Sequence, residues 1–221
     1  MTFSTKNSLT TLFQTFIMGA IDAYTFQNFA GSFVSAQTGN LVVFAYELAS
    51  KGWQTAYVRL PVLIGFLIGA FISQAAKHLP FSDRNRFIIL LAFSTLLLAI
   101  VDGTILLGAG ELTILFILGF FSGYELTIFN KIGGTSVNNG IMTGNLKNFS
   151  NNVYEAIFSR NHQALLQAGF FLSGIMMFVL GIIFSAYWLH AVGPNVLLVA
   201  MVINIFLIVM MVGFKNKPQT D

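Results

Sequence analysis

The tripeptide Thr-Gly-Asn occurs twice, as Thr38-Gly39-Asn40 and Thr143-Gly144-Asn145, and each copy interrupts apolar sequence at the matching place in its half of the chain. Polar, helix-breaking sequence cannot face hydrocarbon, because lipid offers no partner to a freed N–H or C=O group. It persists there only if other protein buries it or if it lines a wet cavity. The match runs further: Leu41 answers Leu146, Phe44 answers Phe149, and Gly65-Phe66 answers Gly169-Phe170, at offsets of 104 to 105 residues. The chain therefore reads as a duplication, and the two interruptions are where function is expected.

Composition sets the solvent. Of 221 residues, 56% are hydrophobic and only 9% charged, with a mean hydropathy of +0.78; soluble domains carry roughly 25% charge. Windows able to cross a core about 30 Å thick lie at 9–30, 57–77, 87–108, 112–130, 163–188 and 194–214. The fold class expected is an all-α polytopic membrane protein, one domain over 1–221, with a first repeat at 9–108 and a second at 112–214. No small-residue cleavage site follows the first window, so no removable signal peptide is expected. Counting 33–49 as a further span would give four spans per repeat and a parallel duplication.

The basic residues favour six spans. Lys6, Lys77, Arg84, Arg86, Lys131, Lys147, Arg160, Lys215 and Lys217 fall on the side of the N-terminus, and only Lys51 and Arg59 on the other. That asymmetry predicts cytoplasmic termini. With three spans per repeat, the second copy enters the membrane from the opposite face, so the repeat is inverted. Each tripeptide should begin a half-membrane helix, the first over 41–49, with Thr or Asn in capping positions. Gly65-x-x-x-Gly69 and Gly169-x-x-x-Ser173 read as close helix-packing motifs, and Trp53, Trp188 and Tyr187 as interfacial aromatics.

The candidate substrate-binding residues are Gln37, Thr38, Gly39, Asn40, Asn139, Thr143, Gly144 and Asn145. Half-helix N-termini and amide groups suit a polar or anionic solute. Asp22 and Glu125, sixteen and eighteen residues before their tripeptides, together with Asp102, are the acidic groups set deepest in apolar sequence. Such residues face the bundle interior and suit proton or cation coupling; Glu47 and Glu155 read as solvated or capping. The chain has no cysteine, and His78, His162 and His190 are scattered, so no metal or cofactor is expected. The dispersed basic residues argue against nucleic acid. Absence of a nucleophile elbow or phosphate loop argues against an enzyme.

Gly19-x-x-Asp22-Ala23, Phe33-Val34-x-x-Gln37-Thr38-Gly39-Asn40 and Met142-Thr143-Gly144-Asn145-Leu146 resemble the YoaK-like bacterial membrane family, a domain of unknown function with about six spans. The resemblance covers essentially the whole chain and implies a bacterial inner-membrane protein, without a substrate or reaction. This chain departs from it at Gly123-Tyr124-Glu125, where the family tends to carry a Gln-Asn pair after the glycine. The residues favour a secondary transporter of a small polar or anionic solute, with a passive channel or a non-transporting scaffold as alternatives. A homodimer is compatible with each.

Overall fold

The computed structural model describes residues 3–78, 80–193 and 195–213. Lys215 and Lys217, counted above for orientation, lie outside the described residues. Every apolar window holds a helix: α1 (Phe3–Asn28), α4 (Leu60–Ala76), α5 (Asp83–Leu106), α6 (Glu111–Ile128), α8 (His162–Ala191) and α9 (Val196–Val212). Between them lie α2 (Gln37–Ser50), α3 (Trp53–Ala56) with a 3-10 turn at Tyr57–Arg59, and α7 (Met142–Phe158). Four continuous helices, Trp53–Ala76, Asp83–Leu106, Glu111–Ile128 and His162–Ala191, are long and apolar enough to cross a membrane. The apolar α9 has 17 residues. The longer α1 turns Thr10, Thr11, Gln14, Thr15 and Asp22 into the protein, where each is buried.

The outward surface suits lipid. Phe71, Leu106 and Leu107 are 80% or more exposed, whereas Ile21, Leu91, Leu98, Leu118, Phe121 and Leu207 form the buried core.

Glycines set the two closest helix crossings. A Cβ on Gly65 or Gly69 of α4 would stand 2.1 Å from a carbonyl oxygen of Phe116 or Phe120 on α6. Conversely, a Cβ on Gly119 or Gly123 of α6 would meet the carbonyl oxygens of Val62 and Phe66 at 2.3 and 2.1 Å. Two Gly-x-x-x-Gly motifs thus interlock backbone to backbone. The other crossing joins α1 to α8, where added Cβ atoms on Gly19 and Gly181 would lie 2.1 and 2.0 Å from the carbonyl oxygens of Phe178 and Phe16. In both cases the helix after a break packs on the helix before the other break. Gly169 does not serve as expected: nothing approaches a Cβ there within 4 Å. It borders an open cleft with Leu9 and Phe170, because the crossing with α1 falls three turns further along α8, at Gly181.

Two expectations about the breaks are corrected. The helix α2 starts at Gln37 and has 14 residues, about 21 Å. That falls short of a core about 30 Å thick, which weighs against a separate span at 33–49. Each tripeptide lies within the first helical turn; the cap positions are Ala36 and Ile141, and no side chain caps either helix. Part of the polar run before the second tripeptide is a hairpin, β1 (Lys131–Ile132) paired antiparallel with β2 (Thr135–Ser136). Its turn residues Gly133 and Gly134 have φ of 56° and 82°, as a two-residue type I′ turn requires.

Candidate functional site

The first break begins where α1 ends. Ala30 and Gly31, at φ 49° and 70°, turn the chain back along the end of α1. Asn40, buried inside α2, then holds the returning strand: its Oδ1 accepts from the Phe33 N–H at 3.1 Å and its Nδ2 donates to the Phe33 carbonyl at 2.6 Å. The Nδ2 also donates to Gln37 Oε1 at 2.9 Å. Asn145 repeats the device in the second break. It accepts from the Asn138 N–H at 3.0 Å and donates to the Asn138 carbonyl at 2.6 Å. In each half the tripeptide asparagine satisfies both backbone groups of the residue seven positions earlier. A side-chain amide sets an N–H donor beside a C=O acceptor in the geometry of a peptide, with a second N–H to spare, which is why asparagine suits this place.

Asp22 locks the first break from the side. Its Oδ1 accepts from the N–H groups of Val34 and Ser35 at 2.8 and 3.0 Å, and its Oδ2 accepts a short bond from the Ser35 hydroxyl. That hydroxyl also lies 3.0 Å from the carbonyl of Gly140, in the second break. The breaks touch here: a Cβ on Gly140 would be 2.6 Å from Ser35 Cβ.

Two adjoining cavities open at this contact. One of about 600 Å³ is lined by Asp22, Phe26, Phe33, Met142, Thr143 and Phe178. The other, about 160 Å³, is bordered by Ser35, Gln37, Thr38, Phe66 and Thr143. The opening turns of α2 and α7 border the smaller space together, which brings two positive dipole ends to it, while the N–H groups of Gln37, Gly39 and Asn40 are taken by the Ser35 and Ala36 carbonyls. The larger cavity has the size of a small-molecule site.

The expected site residues divide into those that face this space and those that build it. Thr38, Thr143, Gln37 and Asp22 line the cavities, although the Gln37 amide also donates to the Val34 carbonyl at 2.6 Å. Asn40 and Asn145 spend their amides on the loop clamps. Gly39 lies against the Phe33 ring, and Gly144 against the Asn138 amide. Asn139 is fully buried and donates to the Glu125 backbone carbonyl at 3.1 Å.

Glu125 and Asp102 stand elsewhere. The Glu125 side chain is completely buried on α6 beside Ser94 of α5, and neither carboxyl oxygen completes a hydrogen bond. Asp102 is half-buried near Tyr24. Asp22 and Glu125, matched in sequence, therefore face different surroundings. Glu47 pairs with Arg59 at 3.8 Å and Lys51 at 3.5 Å, and Glu155 accepts from Ser159.

Sequence reasoning missed a buried polar chain. Gln14 Nε2 donates to Asn204 Oδ1 at 2.7 Å, and Asn204 Nδ2 donates to Ser94 Oγ at 2.9 Å, next to Glu125. It joins α1, α9, α5 and α6. Its signal was available as Gln14 and Asn204, lone amides inside apolar windows. Ser35 and Gly140 were also missed, since nothing in their residue types announces that the breaks meet there.

Residues 10–210 match the family model described as Protein of unknown function (DUF1275), in accord with the YoaK-like resemblance. No curated protein and no solved structure matches the chain.

Proposed function

The chain is thus a member of the DUF1275 family, and from its own geometry we propose that it is a secondary transporter of a small polar or anionic solute. In this reading six spans form two inverted halves, and access alternates between the membrane faces. One observation carries it: the N-terminal turns of α2 and α7, from equivalent places in the two halves, border the same small cavity, and the larger cavity that adjoins it through Ala36, Gly140, Met142 and Thr143 has Asp22 on its wall.

The chemistry follows from charge and donor count. Helix N-termini and the Thr38 and Thr143 hydroxyls favour a polar or anionic group, while Phe26, Phe33 and Phe178 give the larger cavity an apolar wall for the rest of the solute. A bare Asp22 carboxylate repels an anion held there, so a proton or cation arriving at Asp22 favours solute binding, and the reverse holds by linkage.

The Ser35 hydroxyl has one proton and two acceptors, Asp22 and the Gly140 carbonyl. When Asp22 carries its own proton, Ser35 is free to donate to Gly140 and tie the breaks together. When Asp22 is bare, Ser35 donates to it and that tie is lost.

A thermal-shift screen of carboxylates, nucleobases and vitamin-like anions on the purified protein identifies a solute, since ligands of the folded state stabilise it. Uptake of that solute into proteoliposomes then tests Asp22→Asn, which should abolish or uncouple uptake in a protein that still folds. Wild-type uptake with unchanged pH dependence rejects the coupling role. Conductance far above carrier turnover favours a channel, and binding without flux favours a scaffold.

A further inference from the structure

A separate cavity, of about 340 Å³, lies at the end of the molecule where α1 and α5 begin and α4 and α6 end. It shares no lining residue with the cavities where the breaks meet, although Asn130 and Lys131 open the loop of the second break. Its polar wall is unusually cationic for a chain with so few charges: Lys77 follows α4, Lys131 opens the hairpin, and Arg86 stands in the second turn of α5. Asn7 and Asn130 add neutral polar groups. The floor is Phe87, Leu90 and Ile128, continuous with the apolar body of the bundle.

Among the described residues neither lysine pairs with a carboxylate; Asp83, also on the wall, pairs with Arg86 Nη1 at 3.3 Å. Arg86 Nη2 donates to the Phe81 carbonyl at 2.9 Å, but its buried Nε has no partner. Lys77 and Lys131 line the same pocket, and burial together with the neighbouring Lys131 ammonium lowers Lys77 below the ordinary lysine range. Such an arrangement is favourable once an anion sits between them. Phosphate fits best, because guanidinium and ammonium groups donate to its oxygens through charge-assisted bonds.

We propose that this pocket binds a phosphate group through Lys77, Lys131 and Arg86. Two sources share that chemistry. A phospholipid headgroup would lay its glycerol and chains along the apolar floor, as basic pockets between helix ends do at membrane surfaces, and a soluble phosphate would enter from the aqueous side.

The test is the thermal unfolding midpoint of the purified full-length protein. It is titrated with inorganic phosphate against chloride at matched ionic strength, and with phosphatidylglycerol against phosphatidylcholine in mixed micelles. A saturable rise is expected with phosphate, with phosphatidylglycerol, or with both. Phosphate alone marks a soluble ligand, and phosphatidylglycerol alone marks a headgroup.

Lys77→Gln and Lys131→Gln should each weaken apparent affinity about tenfold, the loss of one charge-assisted bond. Lys51→Gln, at the opposite end beside Glu47, should leave it unchanged. Asp83→Asn should tighten binding about threefold by freeing Arg86 from a solvated ion pair, a gain that a purely structural role would not produce. Each variant's midpoint in chloride reports whether it folds. No saturable rise with either probe overturns the proposal, as does a rise that the lysine variants leave unaltered.

Discussion

The two breaks share a backbone plan and differ in what secures them. In the first, a carboxyl from the preceding helix reaches into the loop, and Asp22 holds Val34 and Ser35 by three donors. Arg59 adds a second tie, donating to the Ser32 hydroxyl at 2.5 Å and the Ala30 carbonyl at 2.6 Å. In the second, the acidic residue of the preceding helix turns away, and Glu125 lies against α5. There the loop is secured by a hairpin whose Gly133 N–H donates to Ser8 at 2.9 Å, and by Ile132 and Val137 buried with Phe171. The first break thus depends on an ionisable group at the cavity, the second on packing and neutral hydrogen bonds. Sensitivity to protons or cations is expected to reside in the first half alone.

That contrast sits on a common clamp, and the largest effect should come from removing it. Asn40→Ala or Asn145→Ala would each leave a part-buried N–H and C=O without partners, a loss of about 2 kcal/mol. Chemical or thermal denaturation should show nearly equal destabilisation for the two. A large effect at one and none at the other would end the claim of a shared plan.

A smaller and more selective effect is expected at the acids. Glu125→Gln keeps the shape of a side chain buried beside Ser94, and it should shift stability by less than about 1.5 kcal/mol while leaving the pH dependence of uptake intact. Loss of that dependence in Glu125→Gln, with Asp22→Asn unaffected, would reverse the assignment of roles between the halves.

Much of this organisation was legible in the residues, and its failures are specific. The doubled tripeptide located both helix starts because a polar break repeated in apolar sequence has few stable settings. It did not reveal that the asparagines clamp their own loops, since residue type gives no direction to a side chain. The half-helix expected at 41–49 begins at Gln37, because the tripeptide is helical and turns its amide backward. Gly169 was expected to pack and does not, while Gly119-x-x-x-Gly123 packs unheralded. Small residues recur along such helices, and the crossing point, a tertiary property, selects which of them matter. Asp22 and Glu125 are near-equivalent in sequence, yet their separation of sixteen and eighteen residues from the tripeptides already differs by two. A shift of two residues turns a helix by about 200°, enough to send the second carboxyl to the other side.

The central claim is that the two breaks meet within the bilayer around one cavity. The native chain contains no cysteine, so a Thr38→Cys, Thr143→Cys double variant in membrane vesicles has no competing thiol. A short bifunctional thiol reagent should join the two positions within one chain. Bound solute should slow the reaction, and a bulky charged maleimide applied from one face should reach them poorly. Failure to cross-link, together with rapid labelling of both cysteines by the charged reagent, would contradict the account.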